Sequence, residues 1–188
     1  MAVMKLYMQQ LIYDGTSYTQ GAVVDVLSQW NIGVSEFPFS RYPESKDIAK
    51  RDWKGTDGVE IYTPTGGLPL KDYDVDVTFL YSGTKTRIQA DLNGFLDFIY
   101  GRGAVGLVGG VGSGRLAIYD DHVADGKKDV YVVSVANELY WNVDTDDDTI
   151  ATFKVKFHVA DPVTDVVVER NQQGVVTGMT WDDLNANT

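Results

Sequence analysis

Between Lys71 and Gly114 a strictly alternating run gives way to one amphipathic stretch and then to a glycine-crowded loop. This succession constrains the fold more than any other feature of the chain. Tyr73, Val75, Val77, Phe79 and Tyr81 share one side of the run, and Asp72, Asp74, Asp76 and Thr78 share the other. Side chains of a strand alternate between two faces, so the run predicts a strand with one aromatic and β-branched face buried and one acidic face wet. Next, Ile88, Leu92, Phe95, Leu96 and Ile99 recur at three- and four-residue steps, the apolar stripe of a helix. The remaining patterns read as strands. The expected fold is mainly β (α+β): an antiparallel β-sandwich with one flanking α-helix, about Thr86-Tyr100, and extended loops or hairpins for assembly.

Along the chain, Leu6 to Tyr13 is a mixed strand-like run closing at the turn pair Asp14-Gly15. Ala22 to Ile32 fits a strand or a short helix, and periodicity does not decide between them. From Gly33 to Gly58 the sequence is polar and irregular, with Pro38, Pro43 and Gly55. Most connections in a compact domain run about 4–6 residues, so a segment this long is expected to be functional or ordered by a partner. Val59 to Thr63 reads as a short strand, followed by the turn Thr65-Gly66-Gly67. Beyond the helix, Arg115 to Tyr119 is a short strand and Asp129 to Trp141 a long one. Thr149 to Val159 turns Phe153, Val155, Phe157 and Val159 inward and Lys154, Lys156 and His158 outward. Two strands flanking the acidic turn Asp144 to Asp148 predict a hairpin. Asp161-Pro162 ends it, because proline supplies no ladder hydrogen bond and restricts the residue before it. Val166 to Trp181 predicts a second small hairpin around Asn171-Gln172-Gln173-Gly174. The domain reading is therefore one sandwich over 1–165 and a C-terminal hairpin and tail extension over 166–188.

Charge and composition narrow the function. Among 188 residues, 27 are acidic and 16 basic, a formal charge of −11. That disfavours binding to DNA or RNA, which needs a basic surface to neutralise phosphates. An acidic wall instead lets nucleic acid pass without sticking. The absence of cysteine excludes disulfides, thiolate catalysis and cysteine zinc sites. Met1 to Lys5 lacks the start of a signal peptide, and no apolar run approaches the roughly 20 residues that span a bilayer. The expectation is a soluble, initially cytoplasmic chain without membrane contact.

No motif of reaction chemistry survives inspection. Gly101, Gly103 and Gly106 match G-x-G-x-x-G, but they follow a helix where dinucleotide binding requires them to open one. Gly101 is more simply the residue that ends the helix in a left-handed conformation. The loop's Val105, Leu107, Val108 and Val111 suit an assembly contact. Asp144, Asp146 and Asp148 begin like a calcium loop, yet Thr149 stands where glycine is needed and Val155 where glutamate is needed. His122 and His158 are far apart and read as surface residues. Ser113 has neither the nucleophile frame nor a placed base. No catalytic, cofactor-binding or metal residues are predicted, no cofactor, and no enzyme. Trp30, Trp53, Trp141 and Trp181, with eleven tyrosines, leave a carbohydrate-binding β-sandwich module as the alternative, though core packing explains most of the tyrosines first.

The segment Lys50-Arg51-Asp52-Trp53-Lys54-Gly55-Thr56-Asp57-Gly58 leads into a strand, and Leu70-Lys71-Asp72-Tyr73-Asp74 opens the alternating one. The helix follows, then Arg115-Leu116-Ala117-Ile118-Tyr119-Asp120 and Phe157-His158-Val159-Ala160-Asp161-Pro162. In the order and character of these pieces, over about Val34 to Val163, the chain resembles tail components of long-tailed bacteriophages and prophages. Distal tail proteins and their tail-tube relatives are the nearest in layout. The resemblance implies a structural subunit of the virion tail, assembled in the bacterial host cytoplasm. It implies self-association into a hexameric ring, contact with other tail proteins, and a central channel through which DNA passes without specific binding. Gly33 to Gly58 and the glycine loop would join neighbouring subunits, and Asp72, Asp74 and Asp76 are candidates for the channel wall.

Overall fold

The computed structural model describes residues 5–13, 16, 18–34, 39, 43–55, 57–62, 64–102, 112–136, 140–143 and 148–181. Strands take up 54% of the described residues and helices 12%. The elements run β1 Leu6–Tyr13, β2 Tyr18–Asp25, α1 Val26–Trp30, β3 Ile32–Val34, β4 Lys50–Arg51, β5 Glu60–Ile61 and β6 Tyr73–Thr84. They continue with α2 Ile88–Ile99, β7 Gly112–Asp120, β8 Asp125–Val135, β9 Tyr140–Val143, β10 Asp148–Val159, β11 Val167–Arg170 and β12 Val176–Thr180. The chain is mainly β with a flanking helix. The Asp14-Gly15 turn, the loop residues Val105, Leu107, Val108 and Val111, and Asp144, Asp146 and Asp147 of the acidic turn lie outside the described residues.

One large curled antiparallel sheet carries the fold, in the order β2-β1-β7-β8-β10-β6-β3, with β9 added to β10 beside β8. The pairing of β6 with β10 is unbroken from Thr84 opposite Asp148 to Tyr73 opposite Val159. Phe79 therefore lies across from Phe153, and the two rings stack with centroids 5.4 Å apart. Helix α2 crosses this inner face. Its Phe95 meets Phe79 at 5.1 Å and Phe153 at 6.0 Å, while Trp30 of α1 closes on Phe95 at 5.7 Å. Each large apolar side chain sealed here is worth about 1.5–3 kcal/mol of transfer free energy. Gly94 lets the two helices touch, since a Cβ there would stand 2.7 Å from the Trp30 Nε1 atom. Asp91, buried in the first turn of α2, is held by Arg87, Asn31 and the Tyr81 hydroxyl, which ties the helix to β6 and to the end of α1. Burial and the Asp91 charge push the Tyr81 phenol above its ordinary value.

The reverse face is covered only in part. Over β1 and β7 the hairpin β11–β12 packs down, enclosing Tyr7, Leu11, Ala117 and Tyr119 with Val166, Val176, Met179 and Trp181. Arg170 pins it by ion-pairing with Asp121 at 2.5 Å. Strand β1 is consequently buried on both sides, Gln9 and Gln10 included. The amide of Gln9 donates to the Gly21 carbonyl, and that of Gln10 to the Phe98 carbonyl at the end of α2.

Several boundaries differ from the sequence reading. The ambiguous Ala22–Ile32 run is both elements in succession, the end of β2 and then α1. Asp25 caps that helix through the Leu27 and Ser28 amides, and Asn31 closes it in a left-handed conformation (φ 57°). The long helix is shorter at both ends than Thr86–Tyr100 and joins a second, five-residue one. Strand β7 starts three residues earlier than Arg115, because Gly112 resumes the pairing with β1 past a bulge. The expected strand Asp129–Trp141 is described as two, β8 ending at Val135 and β9 beginning at Tyr140. Both pair with β10, so the hairpin across the acidic turn is β9–β10.

Candidate functional site

Residues 44–71 form an arm that leaves the sheet at the start of β6. Its root is a short two-stranded neck: the Lys71 amide donates to the Glu44 carbonyl at 2.8 Å, the Lys46 amide to the Pro69 carbonyl at 2.7 Å, and Ser45 bridges Leu70. The Lys71 ammonium meets the Glu44 carboxylate at 3.0 Å, and this hydrogen bond and charge raise the lysine above its ordinary pKa. Farther out, β4 and β5 pair only with each other. Every described residue from Ala49 to Tyr62 is exposed, among them Trp53, Val59, Ile61 and Tyr62. The guanidinium of Arg51 lies 3.6 Å above the Trp53 ring, whose indole N–H donates to Glu60 at 2.8 Å. An open hollow of about 330 Å³ between Ala49–Arg51 and Glu60–Tyr62 runs beside them. A lone two-stranded hairpin is at best marginally stable in water, so a hairpin whose strands pair with each other and leave Val59, Ile61 and Tyr62 exposed is poised for an outside surface.

At the foot of this arm sits a polar cluster. The expected acidic strip is present, with Asp74 and Asp76 on the outer face of β6, but its charge is met by β10. Asp74 lies opposite His158, Asp76 opposite Lys156, and Thr78 opposite Lys154. His158 is a partly sheltered bridge where a surface histidine was expected. Its Nδ1 is 2.7 Å from Asp74 and its Nε2 3.1 Å from Asp72, and its ring lies against Tyr131 with centroids 5.0 Å apart. The two carboxylates remain about half exposed. They approach opposite ring nitrogens, so the three groups do not converge on one point as metal ligands do. Among the described residues no group of three or more His, Asp or Glu can hold a metal ion. Sequence alternation had placed Asp74 and His158 on outer faces; the register that sets them side by side was not readable from either strand alone.

Other sequence candidates fall into packing roles. Gly101 adopts φ 72° just past α2, and a Cβ on it would stand 2.5 Å from the Gly114 amide and 2.8 Å from Gly112. Gly101, Gly112 and Gly114 thus bring the two ends of the glycine loop into backbone contact. Ser113 donates its hydroxyl to the Leu11 carbonyl, a β1 contact. Trp30 and Trp181 are in the two cores, Trp141 pairs with Ala151 through β9, and Trp53 is on the arm. The backbone amides of His122 and Val123 donate to the buried Asp120, which forms the turn before β8. Near the start of β8, Asp161 receives Lys128 at 3.0 Å. Burial alone would raise the Asp161 pKa, but hydrogen bonds from the Thr164 amide and hydroxyl, Lys128 and the Val163 amide outweigh it and lower it to about 2. No helix is long and apolar enough to cross a membrane among the described residues. Compared with known family models, curated proteins and solved structures, the chain matches none.

Proposed function

We propose that the chain is a structural subunit of a phage or prophage tail, a distal-tail or tail-tube-like protein that closes into an oligomeric ring around a DNA channel. The exposed arm carries this reading. It presents Val59, Ile61 and Tyr62 exposed on an ordered hairpin whose two strands pair with each other, as expected of an element that docks on a neighbouring subunit. The net charge of −11 suits a channel through which DNA slides, since like charges repel along the whole path. The strip at Asp72, Asp74 and Asp76 contributes less to that repulsion than its sequence suggests, because Lys154, Lys156 and His158 stand beside it. A sugar-binding module would display a row of exposed aromatics. Trp30 and Trp181 are sealed in the cores, and Trp53 is covered on one face by Arg51.

Light scattering of the purified chain over a range of concentrations and salt levels tests the proposal. A ring-sized species, or monomers that convert to one on concentration, is the expected result. A strict monomer under all conditions rejects it, and binding on a glycan array would then favour the carbohydrate module.

A further inference from the structure

His158 is placed to control how firmly the arm is rooted. Asp72 lies one residue beyond the last β6–β10 pair, Tyr73 opposite Val159, and directly after Lys71, whose amide and ammonium both engage Glu44 across the neck. The contact between Asp72 and the imidazole is therefore a side-chain tether holding the foot of the arm to β10. An imidazolium has an N–H on each nitrogen and satisfies Asp72 and Asp74 together. A neutral ring has one N–H, so whichever carboxylate it does not serve faces a lone pair.

From this geometry we propose that His158 is a proton-operated clamp: protonated, it locks the arm root onto the sheet, and deprotonated, it lets Asp72 and the neck of the arm swing free. The remaining charged groups around the ring hold their charge near neutrality or are paired. Lys156 is two residues along β10 with Asp76 opposite it. Arg115 and Asp129 form an ion pair beside Tyr131. Lys128 and Asp161 pair where β10 ends. Lys46 and Asp72 border a cleft of about 490 Å³ that runs from the neck to Asp161. Histidine is the side chain whose charge ordinarily changes in this range, so the clamp engages at lower pH and releases as pH rises. That release would govern ring assembly rests on the arm being the assembly element; the clamp itself does not.

Hydrogen exchange of the full chain tests it, read at the Lys46 and Lys71 amides and corrected for the intrinsic pH dependence of exchange. Between about pH 5.5 and about pH 8.5 the protection of these two amides should fall on the order of tenfold, while the core amides of β10 stay unchanged. In His158→Gln, which hydrogen-bonds but does not titrate, the step should vanish. Asp72→Asn, altered at the exposed partner, should flatten it as well. Equal protection at both pH values in the wild type overturns the clamp, as does a step that persists in His158→Gln. A monomeric chain that shows the step keeps the clamp and removes the ring, and a ring-forming chain without it does the reverse.

Discussion

Strands β1 and β7 form one half of the main sheet, and β6 and β10 the other; the two differ in what lies behind them. Both turn an apolar face to α2. Behind β1 and β7 the hairpin β11–β12 closes a second core, so Tyr7 and Tyr119 are buried on the side where Asp74 and Lys154 face water in the other half. Burial of the second face leaves the polar groups of β1 dependent on internal partners, as with the Gln9 amide, which donates to the Gly21 carbonyl. The open half instead uses its second face for a ladder of opposite charges and for the root of the arm. The same backbone architecture thus serves anchorage on one side and exposure on the other.

The sharpest way to break this comparison is to place one charge on the rear face of each half. Ala117→Asp puts an unpaired carboxylate beneath the hairpin and should cost at least about 3 kcal/mol, whereas Thr78→Asp, opposite Lys154, should stay within about 0.5 kcal/mol of wild type in urea unfolding. Equal losses would mean that the hairpin does not seal β7. Phe79→Ala, on the face both halves share, should lose about 3–5 kcal/mol irrespective of what covers the rear.

Asp161 sharpens the comparison at the junction of the halves. Its folded pKa of about 2 is depressed from 3.8, so its contribution is complete above the unfolded value and disappears as pH falls through the folded one. Asp161→Asn should therefore lower stability at neutral pH by on the order of 2 kcal/mol and flatten the acid limb between about pH 4 and about pH 2 in urea titrations. The smallest effect is expected at the hairpin's pin. Arg170→Ala should cost roughly 0.5–1 kcal/mol while selectively raising exchange at β11 and β12 amides. A global rise in exchange would show that the hairpin and sheet unfold as one unit.

Legibility follows the same division. The strands β6 and β10 were readable because one side of each is wet, and alternation survives only where the two faces meet different environments. In β1 both faces are dry, and Gln9 and Gln10 disguise the run because they are buried with their amide N–H groups donating to internal carbonyls. Helix α1 is too short for an apolar period, but Asp25 and Asn31, its cap residues, were the available signal. The break between β8 and β9 depends on β10 changing partners, which no local pattern records. As for the candidate site, the length and irregularity of the 33–58 segment pointed toward the arm. The His158 bridge required the cross-strand register that only the folded sheet supplies.

The contact of Gly101 with Gly112 and Gly114 makes the chain a natural acceptor for foreign sequence. The ends of the intervening segment are already together, held by main chain against main chain. Each doubling of a flexible loop costs about 0.6 kcal/mol of closure entropy. A peptide tag or a small domain spliced between Arg102 and Gly112 should leave the sheet intact.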